Sequence, residues 1–230
     1  MKTLVYYAKG RFLVPAIFLL VAELVLSLRY WYLRVPFYLT GQGMPTYLIM
    51  TIVIGQIAGT LALACIAPRI PLIDRLATRK VRFCNVVAAA IVALVSATIP
   101  FFWYQLFTVI PIGMVPCHKD YIADGQRFTE AVSSTLPVYC FISIMMYMVI
   151  AITVTALAGK LIGTVSSFIT LIAVILVQAI WPNNDNLQGG FIQDPSHAVV
   201  AVVVVIALLA ASLTVWYLTD AGAPLADKYR

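Results

Sequence analysis

Charge is what this sequence has least of. Of its 230 residues only 10% are Asp, Glu, Lys or Arg, whereas 63% are hydrophobic and the mean hydropathy is +0.99. A soluble domain carries about 25% charged residues, so a water-soluble globule is excluded. Histidine occurs twice and cysteine four times, at Cys65, Cys84, Cys117 and Cys140. That is too sparse for a zinc cluster or a disulfide framework. Cys117, His118, Asp120, Asp124 and His197 are metal-ligand types, but their spacing follows no metal motif, and no metal is assigned. Catalytic signatures are missing too. There is no Gly-x-Ser-x-Gly turn and no His-Glu-x-x-His, and Gly159-Lys160 lacks the upstream glycine of a phosphate-binding loop. The chain is therefore read as a non-enzyme that binds no cofactor of its own. No long segment alternates apolar and polar residues with period two, which argues against a β-barrel.

What the sequence has in abundance is long apolar runs. A helix needs roughly 20 mostly apolar residues to cross the hydrocarbon core, and six runs qualify: about 12–33, 46–67, 83–103, 135–158, 161–181 and 198–218. The expected fold is an all-α integral membrane protein, a single transmembrane domain over 1–230. The first run carries Glu23 at its middle and leads into Arg29-Tyr30-Trp31-Tyr32, unlike a cleaved signal peptide. Lys and Arg set the direction. With the N-terminus inside, eleven of them (Lys2, Lys9, Arg11, Arg69, Arg75, Arg79, Lys80, Arg82, Lys160, Lys228, Arg230) fall on the inner side and four (Arg29, Arg34, Lys119, Arg127) on the outer. The positive-inside rule then places both termini in the cytoplasm of a multi-pass cell-membrane protein. The +6 net charge is explained by these loops and needs no nucleic acid.

Between the spans, Met1 to Arg11 is amphipathic and suits the membrane interface. In the longest outer piece, Phe107 to Val115 is apolar and broken by Pro111, Gly113 and Pro116, which reads as a re-entrant segment. Lys119 to Glu130 is polar and is expected to be helical. The inner stretch Pro68-Arg69-Ile70-Pro71-Leu72-Ile73-Asp74-Arg75-Leu76-Ala77-Thr78-Arg79-Lys80-Val81-Arg82 places Ile70, Ile73, Leu76 and Ala77 at helical spacing with charges on the other faces. It reads as a short surface helix that either meets anionic lipid or docks a cytoplasmic partner.

Glu23 is the one ionisable residue deep in a span. A carboxylate there costs roughly 2.5 kcal/mol or more unless it is paired, protonated or wetted, so it should face the protein interior. Gln56 and Gln178 lie near mid-depth in the second and fifth spans as possible hydrogen-bond donors to it. The three residues mark either a translocation path or a polar bond between helices. Cys117 and Cys140 lie on the same side and are candidates for a disulfide stapling the outer loop. Gly55, Ala58, Gly59 and Ala62, with Ala88 to Ala90 and Ala93, allow close helix contacts within the fold or at a subunit seam.

Six spans in 230 residues, a basic amphipathic N-terminus, both ends inside and an amphipathic helix after the second span resemble the membrane subunit of an ABC-2-type ABC transporter. The closest in size are the small permeases of bacterial antimicrobial-peptide export and lantibiotic immunity. The resemblance implies that 69–82 is a coupling helix, with Ile70, Ile73, Asp74, Arg75, Leu76 and Arg79 contacting a cytoplasmic ABC ATPase subunit. It also implies ATP and Mg on that partner, a second membrane subunit (identical or related), and an amphipathic peptide, lipid or drug-like cargo. Here the larger outer piece joins spans three and four, whereas the family's lies between the last two. Two other readings stand beside it: a non-transporting accessory or scaffold subunit of a membrane complex, and the substrate-binding subunit of a vitamin importer.

Overall fold

A computed structural model describes residues 12–31, 34–37, 46–67, 79–109, 120–123, 126–129, 135–180 and 195–219. Among them are six helices: α1 (Leu13–Arg29), α2 (Met50–Ile66), α3 (Arg79–Val109), α4 (Thr135–Ala158), α5 (Lys160–Ile180) and α6 (Pro195–Leu218). Each coincides with one of the expected apolar runs. By length and composition α3, α4, α5 and α6 are long and apolar enough to cross a membrane; α1 and α2 have 17 residues each. Four such helices mark a helical membrane protein.

The direction in which the helices face supports this independently. On α1 the buried residues are Ala16, Glu23 and Ser27, whereas Val14, Phe18, Val21 and Val25 are exposed. On α5 the buried face includes Gly163 and Ser167, and Leu161, Ile162, Val165, Ile169 and Ile172 point outward. A helix in water does the reverse, turning its bulky apolar stripe to the core. Small and polar groups inside with branched apolar groups outside is what an apolar surrounding selects. Hydroxyls on exposed positions obey the same logic. Thr98, Thr164 and Thr214 each donate to their own helix four residues back, at 2.8 Å to Leu94 O, Lys160 O and Ala210 O.

Helix α4 is the hub, packed against α2, α3, α5 and α6, with α1 held against α2 and α3. The core is built on Ala62, Leu63, Ile66, Ala89, Ala93, Ile144, Met145, Met148 and Ile152. A smaller aromatic cluster of Trp31, Trp103 and Phe107 with Ile99 ties the last turns of α1 and α3 together, with ring centroids 5.9 Å (Trp31–Phe107) and 6.0 Å (Trp103–Phe107) apart. Helices α4 and α5 reverse through Gly159, whose φ of +92° is one L-residues rarely adopt. Gly163 then lets α5 lie on the backbone of Thr155: a Cβ at 163 would come within 2.7 Å of the Thr155 nitrogen and 2.8 Å of its Cα.

Four expectations change. The second run does not begin as helix, because β2 (Thr46–Ile49) pairs antiparallel with β1 (Arg34–Phe37), Arg34 opposite Ile49 and Phe37 opposite Thr46. The run Thr-Tyr-Leu-Ile is rich in strand formers, and regular helix starts only at Met50. The segment expected to be helical over 119–130 contains instead the hairpin β3 (Asp120–Ala123) and β4 (Gln126–Thr129). Helix α3 runs on past Phe107 to Val109, so the start of the expected re-entrant segment is helical. At its other end the described part of α3 takes in 79–82, the last residues of the stretch expected as a surface helix, while 68–78 lie outside the described residues.

Candidate functional site

Glu23 and Gln56, expected at mid-span, are brought inside the bundle, but their partners are not those the sequence suggested. Glu23 is 1% exposed on the inner face of α1. Its Oε1 accepts a hydrogen bond from the Ser96 hydroxyl of α3 at 2.8 Å. The same hydroxyl reaches the Gly55 carbonyl of α2 at 3.0 Å. Three helices thus meet at one serine. Gly55 permits it: a Cβ there would lie 2.6 Å from Ile144 Cδ1 and 3.1 Å from Glu23 Oε1. Ser96 carries a single hydrogen for two acceptors, so this set is short of donors.

Gln56, expected as a donor to Glu23, turns away from it. One residue past Gly55 is about 100° around the helix, and that rotation aims Gln56 at α5. There its Nε2 donates to the Ser167 carbonyl at 2.6 Å and to Ser167 Oγ at 3.3 Å. Thr60, one turn on, pairs with the same Ser167 hydroxyl at 3.0 Å. Gln178 lies in α5, outside the residues whose side chains are described. Glu23 and Gln56 therefore belong to two separate polar knots on either side of α2: Glu23–Ser96–Gly55 toward α1 and α3, and Gln56–Thr60–Ser167 toward α5.

Several buried polar atoms stay without a hydrogen-bond partner. They include Glu23 Oε2, Ser27 Oγ and Trp31 Nε1, together with Gln56 Oε1 and Trp216 Nε1. A buried polar group without a partner is unfavourable. The neighbouring ring is different: Trp103 Nε1 donates to the Leu24 carbonyl at 3.1 Å, and Thr51 Oγ1 donates to the Trp31 carbonyl at 3.3 Å.

The remaining candidates fall mainly outside the described residues. Ile70, Ile73, Asp74, Arg75 and Leu76 all do, as does Cys117. Cys140 is a free thiol, 1% exposed in the α4 core. Cys65 and Cys84 are half-buried free thiols.

Ser96, Ser167 and Ser27 were not singled out from the sequence. The available signal was small-residue spacing: Ala89, Ala93 and Ser96 share a face of α3, and Gly163 precedes Ser167 by one turn on α5. No protein-family model matches this chain, and neither a curated protein nor a solved structure matches it.

Proposed function

We propose that this chain is the transmembrane permease subunit of an ATP-driven ABC transporter, exporting an amphipathic peptide, lipid or drug-like cargo across a bacterial cell membrane. A separate cytoplasmic ATPase subunit binds ATP and Mg, and a second membrane subunit completes the path. The observation that carries this reading is the basic, amphipathic stretch 68–82, which follows α2 in the sequence and whose last residues, 79–82, belong to α3. Its apolar spacing and flanking charges suit a docking helix better than a simple connection. In this reading all six helices cross, with both termini inside. Helices α1 and α2 are about 26 Å long at 1.5 Å per residue, slightly under the ~30 Å core. Flanking residues or local thinning accommodate such a deficit.

A non-transporting scaffold subunit is favoured by one observation: Glu23 is engaged between helices by Ser96, as a structural bond would have it. Purification from the native membrane in mild detergent separates the two. A stoichiometric nucleotide-binding subunit is expected. Recovery of the chain alone, or only with other membrane proteins, overturns the permease reading and moves the scaffold to first place. With the partner in hand, Asp74→Ala combined with Arg75→Ala is expected to uncouple ATP hydrolysis from transport without loss of insertion. Unchanged transport sinks the docking assignment. Glu23→Gln is expected to leave transport nearly unaltered if the residue only joins helices, and to change it if Glu23 lines the path.

A further inference from the structure

The Ser96 hydroxyl stands between two oxygens that cannot both be served by it. Its Oγ lies 2.8 Å from Glu23 Oε1 and 3.0 Å from the Gly55 carbonyl. Both separations fall in the roughly 2.5–3.0 Å range of O–H···O bonds, and each such bond needs a hydrogen of its own. The serine brings one, the carbonyl brings none, and an ionised carboxyl only accepts. With Glu23 ionised, three oxygens from three helices would share a single hydrogen. A neutral carboxyl carries the second one.

The surroundings offer an ionised Glu23 little else. The side chain is 1% exposed, and its Oε2 accepts from nothing. An unpartnered oxygen is costlier on a charged group than on a neutral one. The space at Gly55 is closed by Ile144, whose Cδ1 would lie 2.6 Å from a Cβ there. Among the described residues no cation stands near. On α1, Arg29 and Tyr30 are about 9–11 Å further along the helix and exposed. Helix α2 has no charged residue, and its titratable Cys65 is about 15 Å along the helix from Gly55. On α3, Arg79, Lys80, Arg82 and Cys84 lie about 18 Å or more before Ser96, and Tyr104 about 12 Å beyond it. Helix α4 brings Tyr139, Cys140 and Tyr147 to the neighbourhood of Ile144, and phenols and thiols are ordinarily uncharged at neutral pH. A buried charge without a counter-ion is far less favourable than its neutral form.

We propose that Glu23 is a neutral acid in the folded protein at neutral pH, donating through Oε1 to the Ser96 hydroxyl, which in turn donates to the Gly55 carbonyl. The knot is then a relay of two hydrogen bonds running from α1 through α3 to α2, and one of its two hydrogens is a proton taken up from solution. The link between α1 and α3 exists whichever way that bond points. The proton decides whether α2 is tied in as well, because it releases the serine hydrogen for Gly55. This makes the meeting point of the three helices a buried proton-binding site, whatever cargo the protein handles.

Glutamate occurs only at Glu23 and Glu130, so cell-free synthesis with ¹³C-carboxyl glutamate marks two side chains. Infrared difference spectra between labelled and unlabelled full-length protein in lipid bilayers at neutral pH isolate their C=O stretches. A neutral acid absorbs above the main amide band, a carboxylate as a pair of bands below it. Glu130→Gln leaves Glu23 as the one labelled side chain, so the reading does not depend on a variant of Glu23 itself. A neutral-acid band is expected that persists in Glu130→Gln and is lost in Glu23→Gln. Ser96→Ala removes the acceptor of the carboxyl hydrogen and is expected to shift the band to higher frequency, toward a free acid. Carboxylate bands alone in Glu130→Gln overturn the proposal. So does a neutral-acid band that Ser96→Ala leaves unshifted, since the carboxyl would then not be donating to the serine.

Discussion

Removing the Ser96 hydroxyl is the sharpest test of how the bundle is held together. Ser96→Ala deletes one donor and strands one buried acceptor, Glu23 Oε1 at 2.8 Å, since the Gly55 carbonyl at 3.0 Å keeps the backbone bond of its own helix. In a water-soluble interior one orphaned group would cost about 1–3 kcal/mol. Between membrane helices measured hydrogen bonds are weaker, averaging about 0.6 and reaching about 1.7 kcal/mol, because the separated helices also find partners. The membrane scale governs here, so Ser96→Ala is expected to lose about 1–2 kcal/mol. That is a factor of roughly 5–30 in the unfolding equilibrium. The single value is not the test, since Ala also changes packing. The decisive quantity is the coupling in a double-mutant cycle with Glu23→Ala, measured by reversible unfolding in mixed micelles. If Ser96 acts through the carboxyl, the double variant is expected to be less destabilised than the sum of the two singles by about 0.6–1.7 kcal/mol. Additivity within about 0.3–0.5 kcal/mol, the scatter of independent sites, would refute the bond as a link between α1 and α3.

Two further perturbations follow from the geometry. Gly163→Ala drives a methyl into the Thr155 backbone, which cannot rotate aside. Overpacking costs about 1–3 kcal/mol and outweighs the roughly 1 kcal/mol that alanine gains in helix propensity, so thermal unfolding in detergent should occur at lower temperature. Gln56→Leu removes both bonds to Ser167 but leaves Thr60 on that hydroxyl. It is expected to cost about 1 kcal/mol or less in the same micellar titration, whereas Gln56→Leu with Thr60→Val should cost more than the sum of the separate changes.

The helices were legible because six runs of apolar residues leave the chain few alternatives, and the described ends mostly fall near the expected ones. The hairpins were legible in part and passed over. Asp124-Gly125 is a strong two-residue hairpin signal, and it stands between the two strands that replaced the expected helix. Arg34–Phe37 and Thr46–Ile49 offered less, since a short apolar run beside a longer one reads as its continuation. In the site, burial of Glu23 followed from the cost of a charge in lipid, but its partner did not. Which hydroxyl meets the carboxyl depends on how α1 and α3 slide past each other. Gly55 on α2 permits the close approach at Glu23, and period alone does not encode that register. Gln56 shows the converse: its depth was right, and one step of helical rotation carried it to a different neighbour.

The exposed threonines and Glu23 also differ in when they can be satisfied. Thr98, Thr164 and Thr214 find their acceptors within four residues, so each helix is complete as soon as it forms. Glu23 has its donor 73 residues downstream, on α3. At a synthesis rate of about 5–20 residues per second that donor follows only after on the order of 4–15 s. In the proposed six-span arrangement the nascent α1 would through that interval carry a carboxyl that lipid does not welcome, to be sheltered by the insertion machinery or by water until α3 emerges.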